Sequence, residues 1–157
     1  MIREILTYPD KRLRQKSESV NLDSFCDKEF KKLVLDLKET MLAKDGLGLA
    51  APQIDELKRV VAINTKDGVL ILANPKIKKF SWRKKIDEEG CLSVPGVFGN
   101  VKRAFKITVE ARNEVGDKIE MEASGLMARV VQHEVDHLDA ILFIDKVIPN
   151  KKKNKQL

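Results

Sequence analysis

The only two histidines of the chain, His133 and His137, stand four residues apart inside Leu126–Leu138. In an α-helix residues i and i+4 lie one above the other on one face, a turn apart, whereas in a strand they would be too far apart to share one ligand. Met127, Val130, Val131 and Leu138 add an apolar stripe that buries such a helix. A central helix is therefore expected here. Two imidazoles in this geometry can hold one metal ion. Glu134 follows the first histidine directly, so its carboxylate reaches a water on that metal without having to be a ligand. The plainer alternative is two partly buried histidines on an ordinary amphipathic helix. Spending every histidine of the chain on one metal-ligand spacing favours the metal.

Length and composition bound what surrounds this helix. With 157 residues, 43% hydrophobic and 34% charged, the chain has the make-up of one compact domain with a real core. No apolar run approaches the roughly 18 residues of a membrane span. Met1 to Val20 carries charges throughout instead of an apolar signal centre, so a cytoplasmic location and no membrane partner are expected. Cys26 and Cys91 are too few and too far apart for a disulfide framework. The formal charge is +6, but four lysines lie in the tail Lys151–Leu157, so the basicity is largely a tail property and DNA is not an expected partner. Residues 1–150 are read as the domain and 151–157 as a basic, flexible tail. The tail is read as a frayed solubilising end, with attraction to an RNA-rich partner as the functional alternative. A second basic run, Lys76 to Lys85, is interrupted by Ile77, Phe80 and Trp82 and is read as a solvated strand or loop.

Along the chain, Tyr8-Pro9-Asp10 signals a turn. Ser24 is expected to cap a helix whose Cys26, Phe30, Leu33, Val34, Leu37 and Met41 recur at helical spacing, with Cys26 a small buried hydrophobe on its stripe. Asp45-Gly46 stops it. Val60–Ile63 and Val69–Leu72 flank Lys66-Asp67-Gly68 as a hairpin. Ile107, Val109 and Ala111 alternate with polar residues, and Asn113–Asp117 turns the chain into Lys118–Glu122 as a second hairpin. Ser124 is expected to cap the histidine helix, and Ile141–Ile144 to be an extended segment closing the core. The fold class predicted is α+β: a single domain of mostly antiparallel strands packed around the central H-E-x-x-H helix.

Two further stretches matter because two histidines leave a metal site short of ligands. Glu89-Gly90-Cys91-Leu92-Ser93 offers a thiolate flanked by glycines that let the backbone present the sulfur; a buried, inert thiol is the structural alternative. Gly46-Leu47-Gly48-Leu49-Ala50-Ala51-Pro52-Gln53 exposes backbone groups to a ligand but lacks the P-loop lysine and the dinucleotide glycine spacing. The side-chain amide of Gln53 can donate to an oxygen that becomes negative in a transition state.

In this order, these two stretches and Gln132-His133-Glu134-Val135-Asp136-His137-Leu138 closely resemble the three signature motifs of peptide deformylase. The likeness runs from Ile5-Leu6-Thr7-Tyr8-Pro9-Asp10 to Leu142-Phe143-Ile144-Asp145. One motif alone is weak; the ordered trio is highly specific. The resemblance implies a metal-dependent hydrolase that removes the N-formyl group from the N-terminal formyl-methionine of newly made polypeptides, releasing formate. It implies Cys91, His133 and His137 as metal ligands and ferrous iron as the metal, with zinc, nickel or cobalt able to substitute. Glu134 is then the general acid/base that takes a proton from the attacking water and gives it to the departing amine. Gln53 and the backbone N–H of Leu92 stabilise the oxyanion. Gly48 pairs with the extended peptide as with an added strand, and Leu126 and Val130 line the methionine pocket.

Ala140 stands where the family commonly has glycine, so the turn leaving the helix is expected to be altered. The short tail weakens the case for tail-mediated contact with the ribosome. Two other classes remain open on the residues: an H-E-x-x-H zinc endopeptidase, which leaves the cysteine and glutamine motifs unexplained, and a non-catalytic metal-stabilised binding module.

Overall fold

In the computed structural model, residues 1–149 are described; the basic tail read at 151–157 lies outside the described residues. Among the described residues, two α-helices and seven strands make up the fold. They are α1 (Lys28–Ala43), β1 (Gly48–Ala50), β2 (Val60–Thr65), β3 (Gly68–Phe80), β4 (Lys84–Cys91), β5 (Val94–Ala104), β6 (Lys106–Arg112), β7 (Lys118–Ser124) and α2 (Gly125–Leu138). Five strands form one sheet in the order β1-β2-β3-β6-β7, and β4-β5 form a separate hairpin. Every strand pair in both sheets is antiparallel, as the α+β reading expects. No described helix is long and apolar enough to cross a membrane.

Strand β2 shows why its sequence is continuously apolar. Successive side chains point to opposite sheet faces, and both faces are covered. Val60 and Ala62 pack with Phe30, Leu33, Val34, Leu37 and Met41 of α1. Val61 and Ile63 pack with Ala128, Val131 and Leu138 of α2. The five-stranded sheet thus lies between the two helices, and α2 is pressed against its second face. Each fully buried aliphatic side chain here, Leu37 for example, contributes about 1.5–3 kcal/mol.

On its other side α2 holds the β4-β5 hairpin through polar groups. The Gln132 side-chain amide donates to Ala104 O at 3.0 Å and accepts from Ala104 N at 3.1 Å. Arg129 donates to the carbonyls of Val101 and Lys85. This hairpin has no counterpart in the sequence reading, because Lys84–Glu88 is exposed on both faces and carries no apolar alternation.

Both expected hairpins form, the first around Gly68 at φ +115°. Other local expectations are corrected. Ser24 lies inside a 3-10 turn, Leu22–Cys26, and α1 starts only at Lys28. That turn sends Phe25 inward and leaves Cys26 exposed, so Cys26 is not on the apolar stripe. Ser124 occupies the N-cap position of α2, but its side chain makes no capping bond. Ile141–Ile144 is not simply extended: Phe143–Asp145 is a 3-10 turn, capped by Asp145 accepting from Leu142 N, which tucks Leu142 and Phe143 inside.

The end of α1 is a Schellman motif in which Asp45, not Gly46, takes the left-handed conformation, at φ +52°. Its bonds run from Gly46 N to Met41 O at 2.9 Å and from Asp45 N to Leu42 O at 3.2 Å. The turn leaving α2 is likewise left-handed at Ala140, with φ +63°.

Candidate metal centre

Four elements converge beside this layered core. α2 carries His133, Glu134 and His137; β4 ends at Cys91; β1 and the 3-10 turn Ala51–Ile54 carry Gly48 and Gln53. One ligand atom from each of Cys91, His133 and His137 lies within 4.8 Å of the others. Cys91 Sγ is 3.2 Å from His137 Nε2. Around one ion with bonds of about 2.1–2.3 Å, tetrahedral sulfur and nitrogen ligands sit about 3.5 Å apart. The donor set and its spacing therefore fit a metal.

The surroundings fix these ligands. Glu89 is buried and accepts from Arg103 at 2.9 Å through both oxygens and from Arg129 at 2.6 Å. Burial alone would raise its carboxyl pKa, but His133 and Arg103 outweigh that and hold it well below the usual range. An ionised carboxylate only accepts. Its contact at 2.8 Å with His133 Nδ1 therefore places the hydrogen on Nδ1 and leaves Nε2 as the free donor atom. Arg103 also bridges to Asp136 of α2. Phe143 stacks on the His133 ring at 6.0 Å between centroids.

Gln53 is oriented through its other end: its Oε1 accepts from Ala50 N at 2.8 Å. Its NH₂ is thereby turned to Ser93 Oγ at 3.0 Å and Cys91 Sγ at 3.5 Å. Glu134 is buried beside Gly48, and its Oε2 has no hydrogen-bond partner among the described residues. Burial pushes its carboxyl up to about 7. A carboxyl near neutrality can both take and give a proton at physiological pH. His137 Nδ1 is also without a partner among the described residues.

A cleft of about 520 Å³ opens over these groups. Of the residues singled out in the sequence, Gly48, Gln53, Cys91, Leu92, Leu126, Val130, His133 and Glu134 line it, and His137 stands in the cluster behind. Leu126 is 63% exposed at the rim. The sequence reading gave no role to Glu89, Arg103, Arg129, Ser93 or Asp136. A signal for part of this existed: Arg129, Gln132 and Asp136 are polar residues spaced i, i+3, i+7 on the side of α2 that faces the hairpin.

The model of the polypeptide deformylase family matches residues 2–153. A peptide deformylase of Caldicellulosiruptor bescii is 48% identical over 147 residues, covering 94% of this chain and 86% of that protein. Among solved structures, a peptide deformylase from Thermotoga maritima superposes with a TM-score of 0.90 at 36% identity, covering 95% of this chain and 99% of that one. A Met-Ala-Ser-bound class I type b peptide deformylase from Acinetobacter baumannii gives 0.89 at 32% identity, covering 94% and 99%.

Proposed function

The chain belongs to the polypeptide deformylase family, a metal-dependent hydrolase that removes the N-formyl group from nascent peptides, and on that premise we propose how its own residues do so. Cys91, His133 and His137 would hold the metal, with ferrous iron as the proposed ion and zinc, nickel or cobalt as substitutes. When bound, the metal polarises the formyl carbonyl and acidifies the attacking water. Glu134 takes a proton from that water as its oxygen attacks the formyl carbon, and gives the proton to the amine nitrogen as the C–N bond breaks, leaving formate and the free amine. The observation that carries this role is the buried, unpartnered Oε2 of Glu134 beside the cluster.

Gln53 Nε2 and the backbone N–H of Leu92 stabilise the oxyanion; a single donor of this kind is worth about 2.7–4 kcal/mol. Strand β1 is the sheet edge next to the cleft, and Gly48 on it pairs with the extended substrate. Leu126 and Val130 form the wall that receives the methionine side chain, whose burial contributes about 1.5–3 kcal/mol. We place the activity in the cytoplasm, on chains leaving the ribosome, with residues 1–150 as the catalytic domain. The lysines of the tail add electrostatic attraction to that RNA-rich particle.

Protein purified without oxygen, with iron read on the same sample, tests the metal assignment. The iron form is expected to be active and to decay in air as iron and Cys91 oxidise. A zinc-loaded sample of equal activity and no air sensitivity would overturn it.

A further inference from the structure

The tip where β3 passes into β4 takes no part in the chemistry described, yet it exposes two large aromatic rings. Trp82, the only tryptophan of the chain, is 97% exposed, and Phe80 is 56% exposed. A tryptophan normally buries 150–250 Å² of ring; this one packs against almost nothing, so the fold gains little from it. The tip is nevertheless pinned. Ser81 N donates to Lys106 O at 2.8 Å, Phe105 N to Arg83 O at 3.0 Å, and the Arg83 guanidinium sits 4.2 Å over the Phe105 ring.

Around these rings cations predominate. Lys76, Lys78, Lys79, Arg83 and Lys84 are exposed, and among the described residues none has a carboxylate within ion-pair distance. Lys85 and Lys106, by contrast, are each paired, with Asp87 and Glu122. Five unmatched cations within nine residues, interleaved with two exposed aromatic rings, combine the two features that bind single-stranded nucleic acid: charge for the phosphates and a flat face for a base.

We propose that the β3-β4 tip is an RNA-binding surface through which the enzyme docks on ribosomal RNA, Trp82 stacking on an unpaired base and the lysines contacting phosphates. The choice of ribosomal RNA rests on the family activity, since nascent peptides emerge from an RNA-rich particle. An anionic membrane is the other polyanion such a patch could meet. It is disfavoured because the rings are set singly among cations, with Lys84 Nζ 5.8 Å over the Phe80 ring, and not in a continuous apolar face. Strand β4 runs from the tip to Cys91, about 20–25 Å at strand rise, so docking there leaves the cleft open.

The test uses the metal-loaded full chain, tail included, so that the tail's charge is the same in every arm. Trp82 emission is titrated with a U12 oligonucleotide and separately with phosphatidylglycerol vesicles. Saturable quenching by U12 is expected, weakening about 20- to 50-fold between 50 and 200 mM salt for three to four phosphate contacts. Anisotropy of labelled U12 should show about tenfold weaker binding for Trp82→Ala and for the triple change Lys78→Glu, Lys79→Glu, Lys84→Glu. The triple variant should also cease to co-sediment with ribosomes. Both variants should deformylate a formyl-Met tripeptide at the wild-type rate, which keeps failure of this proposal separate from failure of the family reading. A response to vesicles but not to U12, U12 binding without ribosome co-sedimentation, or a triple variant that binds like the wild type would each overturn it.

Discussion

Glu89 Oε1 stands 2.8 Å from His133 Nδ1, so a residue 44 positions away in sequence decides which nitrogen of that histidine faces the metal cluster. The same carboxylate neutralises Arg103 and Arg129, which are themselves buried.

Glu89→Gln should therefore act twice. Arg129 loses its carboxylate partner and Arg103 keeps only Asp136, which costs about 3–5 kcal/mol, and metal affinity should fall about 10- to 100-fold as a neutral amide replaces the carboxylate that orients and polarises His133. Chemical denaturation and competition with a chelator read the two effects separately. Unchanged affinity in a stably folded variant would refute the orienting role.

Gly48 leaves room for nothing larger. A Cβ at that position would lie 2.5 Å from Glu134 Oε1, so Gly48→Ala should push the carboxylate aside. A displacement near 1 Å can cost about 100-fold in rate. We expect a drop in kcat of that order with metal content unchanged; a wild-type kcat would show that Glu134 need not sit where it does.

Ala140 is held at φ +63°, where an L-residue with a Cβ is strained by about 1–2 kcal/mol. Ala140→Gly should relieve part of that strain, against the greater freedom glycine has when unfolded. A net gain of about 1 kcal/mol, or about 2–4 °C in Tm, is expected by calorimetry. A lower Tm would contradict it.

Asp36 predicts an acid limit. Burial raises its carboxyl pKa, but hydrogen bonds from Lys32, the amino group of Met1 and Arg3 outweigh this and leave it lowered to about 2. A pKa depressed on folding stabilises above the ordinary value near 4 and loses that contribution as pH falls from about 4 to about 2. Asp36→Asn should cost on the order of 1 kcal/mol at pH 7, since the Lys32 partner is half exposed. In urea denaturation the gap to wild type should narrow from pH 5 to pH 3. A gap independent of pH would exclude this origin.

The histidine helix was legible because its constraint is local: His133 and His137 come within one turn of each other in a helix, and the stripe beside them repeats with its period. The hairpins around Gly68 and Asn113–Asp117 were legible for the same reason. The β4-β5 hairpin was not, since its partners are Gln132 and Arg129 on a distant helix, and no apolar alternation marks it. Cys26 shows the opposite failure. It fits the helical spacing, but one 3-10 turn before α1 rotates Phe25 inward in its place. Cys91 and Gln53 could be chosen by chemical type, whereas Glu89 and its arginines became visible only once the chain had folded them together.

Glu134 is the residue on which turnover most directly depends. Deformylation of formyl-Met-Ala-Ser should be measured for the wild type and Glu134→Ala, both purified without oxygen and with metal content determined on the same samples. The expected result is turnover by the wild type and a loss of at least about 100-fold in the variant at equal metal occupancy. Turnover by the variant within a few-fold of wild type at matched occupancy would contradict Glu134 as the proton carrier.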